Sequence, residues 1–355
     1  ADMKKILIIS SILLLFVLIV LFGNFIFMSN KTISSQHKIG FVISGIDDKG
    51  FADMQIEGVK NASRLYKINY KLYITGSFDN IKEGILNAIK DGNDIVICGN
   101  GFLAEKPILE VAPLYPKVYF ICMDTIFSYY PQNVCSVSFK QNEGSFLAGV
   151  LAAKMTRLKT IGFIGGMDIP VINDFLIGFI QGIKYIDEKI NIVYRFVDKM
   201  SKKDPFQDEQ EGYNIAKNIL EKYNADIIYA VSGKTNMGIF EALKIEIENQ
   251  TKNKDVKENK IFAIGVDTDQ DYLIPGYILT SMIKNLDTGV VYIIDKIINK
   301  EFSNKNYRIG LKENGVGLSE MKYTKEIIGK EIINLLEQLK NKIISKEIVV
   351  KSVYD

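Results

Sequence analysis

The stretch Phe139-Lys140-Gln141-Asn142-Glu143-Gly144-Ser145-Phe146-Leu147-Ala148-Gly149-Val150-Leu151-Ala152-Ala153-Lys154-Met155 decides how the chain divides. A β-rich run over 134–139 ends here and a helix begins. Small residues at Ala148, Gly149, Ala152 and Ala153 give that helix a flat face on which another backbone can lie closely. Strand and helix patterns alternate before this stretch and again after it. It therefore reads as the passage from a first α/β lobe to a second, with a ligand crevice expected between them.

Working backwards, 38–44 is an apolar strand followed by a helix over 51–66. The unit repeats as a strand over 69–74 with a helix over 80–90, and as a strand over 94–98 with a helix over 103–114. A fourth strand, 117–123, ends on Asp124. Working forwards, strands are predicted at 160–165, 191–197, 226–231 and 260–266, with helices at 171–186, 208–223 and 236–248. Residues 249–260 read as a charged, solvated loop. Short strands at 278–282 and 307–311 flank a helix over 287–300, and a long helix over 325–344 closes the chain. Short continuous apolar strands separated by helices indicate parallel sheets covered on both faces.

The bulk numbers agree: 355 residues, 47% of them hydrophobic, are enough for two domains with real cores. A net charge of +2, with no basic stripe and no interleaved arginines and aromatics, argues against nucleic acid as a partner. Cys98, Cys122 and Cys135 are odd in number and lack metal-ligand spacing, so buried free thiols are expected. His37 is the only histidine, which leaves little material for His-based catalysis.

The N-terminus carries a different signal. Ala1 and Asp2 ahead of Met3 read as an addition, and Lys4 and Lys5 introduce an apolar run over 6–28 long enough to span a bilayer. The lysines predict that the start stays cytoplasmic and that everything after Ser29 is exported. No A-x-A cleavage site and no lipidation cysteine accompany the run, so it reads as an uncleaved anchor with a short polar tether after it.

Open α/β sheets bind ligands beyond the carboxyl ends of their strands. Those ends carry Ser44-Gly45-Ile46-Asp47-Asp48-Lys49-Gly50-Phe51, Asp124, Gly165-Gly166-Met167, Ser232-Gly233-Lys234-Thr235-Asn236 and Asp267-Thr268-Asp269-Gln270. Carboxylates, glycines and small hydroxyls suit a neutral polyhydroxylated ligand. By themselves, Asp47 and Asp48 read first as a polar turn capping the helix that starts near Phe51, and Phe206 can be an anchor for the helix after it. Asp267-x-Asp269 lacks the further ligands of a calcium loop, and no glycine cluster fits a phosphate loop.

Taken in order, these residues resemble the basic membrane protein family, the purine-nucleoside-binding proteins of ABC importers, often lipoproteins. The matches are Asp47-Asp48-Lys49-Gly50-Phe51, Asp124, Phe139-Lys140 with Glu143-Gly144 and Phe146-Leu147-Ala148-Gly149, and Gly162-Phe163-Ile164-Gly165-Gly166-Met167. Phe206-Gln207-Asp208, Gly233, Gly265-Val266-Asp267-Thr268-Asp269-Gln270, Lys284 and Gly315-Val316-Gly317-Leu318 continue the series.

The resemblance implies a type I periplasmic-binding-protein fold: two Rossmann-like lobes with parallel sheets, joined by three crossings, here behind an N-terminal membrane helix. It divides the chain into an anchor (1–30), a tether (31–37), a first lobe (38–140 plus about 267–303), a second lobe (141–266 plus about 304–325) and a closing helix and tail (326–355). It implies a nucleoside in the cleft, an ABC permease as partner, no cofactor and no catalysis. By position, Asp47 or Asp48, Phe51 and Asp124 face the ligand from the first lobe. Asp267 takes the ribose hydroxyls, Lys284 adds a donor, Phe206 stacks on the base and Gly233 lets backbone approach it.

Three positions depart from the family pattern. Ala52 stands where Asn is usual, Ile56 aligns with an aromatic that covers the other face of the base, and Asn236 replaces a glycine. Those departures keep open a sensor or regulatory protein of the same fold binding another solute. A nucleoside hydrolase is the third reading, without an evident nucleophile.

Overall fold

Apolar strands that alternate with amphipathic helices have to bury both sheet faces, and this chain does so twice. The computed structural model describes residues 37–46, 50–252 and 260–355. The expected membrane helix over 6–28 and the turn residues Asp47 and Asp48 lie outside the described residues. Among the described residues no helix is long and apolar enough to cross a membrane.

The first sheet collects β1 (Lys38–Ile43), β2 (Asn69–Ile74), β3 (Ile95–Cys98), β4 (Tyr119–Met123) and β5 (Val134–Phe139), with helices α1 (Phe51–Tyr66), α2 (Ile81–Lys90) and α3 (Glu105–Val111) between them. After α4 (Gln141–Met155) the second sheet collects β6 (Thr160–Gly165), β7 (Asn191–Phe196), β8 (Ile227–Val231), β9 (Phe262–Asp267) and β10 (Ile278–Lys284). Its helices are α5 (Pro170–Ile186), α6 (Glu209–Tyr223) and α7 (Asn236–Lys252). The chain closes through α8 (Leu286–Ile298), β11 (Asn306–Ile309), β12 (Val316–Leu318), α9 (Lys325–Ile328) and α10 (Lys330–Ile344). Strand order is β11-β5-β4-β3-β1-β2 in one sheet and β12-β10-β9-β8-β6-β7 in the other. The two orders correspond strand for strand, differing only at the last: β11 runs parallel to β5, and β12 antiparallel to β10.

Two parts of the sequence reading are corrected. The sequence reading places about 267–303 in the first lobe and about 304–325 in the second, yet β10 pairs with β9 in the second sheet and β11 with β5 in the first. The chain therefore leaves the second lobe only after Lys284, where α8 crosses back to pack on α1. The boundary at 267 marked a strand end, which locally looks the same as a domain end. The closing helix is also two: Gly329, at φ 82°, breaks it into α9 and α10, and α10 packs on α4 of the second lobe. The short strand β12, three residues with Gly317 at their centre, has too weak a β signal to be expected from the sequence.

Three crossings thus join the lobes, at Lys140, at Asn285 and over 310–315, and they are tied to one another. Glu143 pairs with Lys140 at 3.2 Å and accepts the Leu311 amide at 2.9 Å. Asn285 donates its side-chain amide to Asn314 O at 2.7 Å and its backbone N–H to Gly315 O at 2.9 Å.

Helix α4 is buried from Gln141 to Ala153 except at Glu143, as expected of a helix apolar on all sides. Its small residues meet those of α5. A Cβ added at Gly149 would collide with the Phe179 carbonyl and come 3.0 Å from the Ile183 amide. Gly178 and Gly182 lie equally tightly on the backbone of Asn142 and Phe146. One apolar cluster runs from β5 through α4 to β10, so the lobes share a core.

Gly149→Val should therefore lower stability by about 3 kcal/mol or more, since the obstacle is backbone that cannot rotate away. Gly317→Ala, where a Cβ meets nothing within 4 Å, should change it by less than about 0.5 kcal/mol. Urea unfolding of the two variants checks the pair.

Candidate ligand-binding site

Asp124 follows β4 and Asp267 ends β9, and the correspondence of the two sheets makes these the same position in each lobe. Both have left-handed backbone, φ 59° and 66°. Aspartate tolerates that conformation better than most residues, and it turns the chain out of the strand direction at the carboxyl edge.

Across the lobes, Lys284 Nζ at the end of β10 meets Asp124 Oδ1 at 2.6 Å, with the side chains only 3% and 10% exposed. The ammonium also lies 5.4 Å from the ring centres of Phe139, the last residue of β5, and Phe175 in α5. It is thus held by aromatic faces from both lobes and by one carboxylate. Asp267 is in register with Ile283, one residue before Lys284. Beside it Tyr229, fully buried on β8, exchanges a hydrogen bond with Ser145 of α4 at 3.1 Å. Burial pushes the Tyr229 phenol up; Ser145 opposes the rise and the Asp267 carboxylate adds to it.

Phe206 is placed by its neighbours. A Cβ at Gly166, just after β6, would strike its ring, and one at Gly233, just after β8, would come 3.4 Å from its Cβ. The Phe206 carbonyl accepts the Thr235 amide at 3.3 Å, and Thr235 Oγ1 donates to Pro205 O at 2.9 Å. The ring is half-buried at the carboxyl edge of the second sheet. Gly233, expected to let backbone approach a ligand, and Gly166 therefore also make room for this ring. Asn236, the departure from the family's glycine, is fully buried and accepts from the Ser232 amide at 3.0 Å and hydroxyl at 2.7 Å. It closes the turn after β8.

The loop after β9 is held from beneath. Asp271 accepts from Ser281 at 2.7 Å and Ser319 at 2.6 Å, and Asp269 accepts the Asp271 amide at 2.9 Å. Burial raises the Asp271 carboxyl above its usual range, and the two serine hydroxyls oppose the rise.

On the first lobe Phe51 opens α1 half-buried, while Ala52 and Ile56 are 6% and 7% exposed and pack into the shared core. Asn100, after β3, exchanges hydrogen bonds with Ser44, after β1: it accepts the Ser44 amide at 3.1 Å and donates to Ser44 Oγ at 2.7 Å. Neither that brace nor the pairing of Arg308 with Asp174 is legible in the sequence, because the partners lie 56 and 134 residues apart. His37 pairs with Asp94 at 2.6 Å, at the amino edge opposite the cleft. The three cysteines are free and fully buried, and burial pushes their thiols up.

Two parallel-sheet lobes, three tied crossings and acidic and aromatic groups gathered at their facing strand ends define a bilobal solute-binding protein. The comparisons carry this one step further: the chain belongs to the Bmp family, described as ABC transporter substrate-binding protein PnrA-like, whose profile matches residues 36–353. Basic membrane protein A of Borreliella burgdorferi is 29% identical over 347 residues, 94% of this chain and 95% of that one. An uncharacterized lipoprotein of Pyrococcus abyssi is 28% identical over 305 residues, 83% of this chain and 72% of its own. Among solved structures, an ABC transporter solute-binding protein from Aeropyrum pernix K1 superposes with a TM-score of 0.74 at 25% identity, covering 90% of this chain and 94% of that one.

Replacing Lys284 by Met would leave Asp124 buried without its cation, a loss of about 3–5 kcal/mol. Adding Asp124→Asn to Lys284→Met should recover more than half of it. A double-mutant cycle read by urea unfolding tests this, and no loss in Lys284→Met would contradict the pairing.

Proposed function

We propose that this protein captures a nucleoside, a purine nucleoside first of all, between its lobes and hands it to an ABC permease. The reading is supported most by Phe206, a half-buried ring seated on Gly166 and Gly233 in the same row of strand ends as Asp267. A purine offers a wide π face, and stacking on such a ring is worth about 1–3 kcal/mol by analogy with single-stranded nucleic acid. A ribose offers two vicinal hydroxyls, which the Asp267 carboxylate can accept together. Asp124 and Lys284 meet the ligand from opposite lobes already paired, so the site suits a neutral guest. Asp47 or Asp48, Phe51 and Ile56 complete the first-lobe side, and Gly233 the second. With Ile56 in place of an aromatic, the base is covered by a ring on one face and by aliphatic carbon on the other.

No chemistry is involved: contacts made in both lobes favour the closed form over the open one. The run over 6–28 is read as an uncleaved helix that holds the protein at the outer face of the cell membrane, beside the permease.

At a nucleoside concentration of about 100 Kd, binding adds about 2.7 kcal/mol, a rise in melting temperature of several degrees. Inosine, guanosine or adenosine should produce it, and Asp267→Asn should remove most of it with little change in the ligand-free melting temperature. A response to sugars or other solutes alone would favour a sensor of the same fold, and release of free base would favour an enzyme.

A further inference from the structure

The C-terminal tail joins the lobes at a point outside the three crossings. Asp174, near the start of α5 on the second lobe, is fully buried. Its Oδ2 accepts Arg308 Nη2 at 3.1 Å, and Arg308 belongs to β11 of the first lobe. The other oxygen is satisfied by the tail: Oδ1 accepts the Ser352 hydroxyl at 2.5 Å and the Val353 amide at 3.1 Å. Arg308 Nη2 also donates to Ser352 Oγ at 2.5 Å, and its guanidinium lies 5.2 Å from the Tyr354 ring centre. The second lobe grips the same tail independently. Gln181 exchanges two hydrogen bonds with Lys351, each 2.9 Å, and Asn142 donates to Val350 O at 2.9 Å.

Burial raises the Tyr354 phenol, and the Asp124 and Asp174 carboxylates add to the rise while Arg308 opposes it. Two ion pairs join the lobes here. Those pairs cross in opposite senses. Lys284 reaches from the second lobe to Asp124 in the first, and Arg308 from the first lobe to Asp174 in the second.

We propose that residues 350–355 are an interlobe strap: Ser352 and Tyr354, gathered on Arg308 and Asp174, fix the angle between the lobes and so position the two halves of the ligand site. A buried carboxylate needs several donors to remain in place. Without the tail, Asp174 keeps Arg308 as its one partner among the described residues, and the pair opens to water and is screened. Ser352 is the positioning residue, because among the described residues it alone bonds both members of the pair. The strap is a property of the hinge and does not depend on which solute is bound.

The test measures the interlobe distance without ligand, so it stands or falls apart from the nucleoside reading. Lys60→Cys on α1 and Lys217→Cys on α6, both exposed, take nitroxide labels, while the buried native thiols do not. Dipolar spectroscopy of the full chain should give one dominant distance. Ser352→Ala, and removal of 352–355, should each raise a longer-distance population about tenfold, while Ser352→Thr, which keeps the hydroxyl, and Val349→Ser, on the exposed side of the tail, should not. If the shortened chain does not fold, Ser352→Ala against Ser352→Thr decides. Distances in Ser352→Ala superimposable on those of the full chain, even with a lower melting temperature, would overturn the strap; so would equal opening in Ser352→Thr.

Discussion

The contact between Lys284 and Asp124, 2.6 Å long and nearly excluded from solvent, is the constraint on which the arrangement of the two lobes rests. Burying such a pair contributes little net stability, because desolvation consumes most of the Coulombic gain. What it supplies is geometry. An ammonium locked among Asp124, Phe139 and Phe175 can be satisfied in only one relation of the lobes, whereas apolar contacts would tolerate sliding. The same logic explains the tied crossings. Hydrogen bonds from the Leu311 amide to Glu143 and from Asn285 to Asn314 and Gly315 let three connections bend together as one hinge.

The correspondence of the two sheets gives the site its plan. Strands β4 and β9 hold the same place in their sheets, and each is followed or ended by an aspartate in left-handed backbone. Strands β5 and β10 likewise end on Phe139 and Lys284, the ring and the cation that stack on one another. A cleft made by apposing two such edges presents carboxylates from both sides without dedicated loops. The second lobe adds Phe206, brought in by the loop before α6 and given room by Gly166 and Gly233.

Most of the strands and helices were legible because their apolar runs are long and bounded by polar turns: Phe51–Tyr66, Asn69–Ile74, Val134–Phe139 and Thr160–Gly165 fall where the pattern puts them. The crowding of α4 on α5 was legible too, from Ala148, Gly149, Ala152 and Ala153. What failed was partition. Whether β10 and β11 belong to the first or second sheet depends on pairings over long separations, such as Tyr307 with Val137, which local pattern does not encode. The site residues divided in the same way. Asp124 and Asp267 stand out in the sequence because each closes an apolar strand, and Lys284 only through resemblance. Arg308, Asp174 and Ser352 lie in segments that look ordinary one at a time, and only the folded chain brings them within hydrogen-bonding distance.

The proposed function requires one guest held from both lobes at these strand ends. A crystal structure of the protein grown with inosine measures this directly. It should contain the ribose hydroxyls on Asp267, the base over Phe206, and Asp124 or Lys284 completing the contact from across the cleft. Inosine bound to one lobe alone, or to a surface away from Asp124 and Asp267, would contradict it.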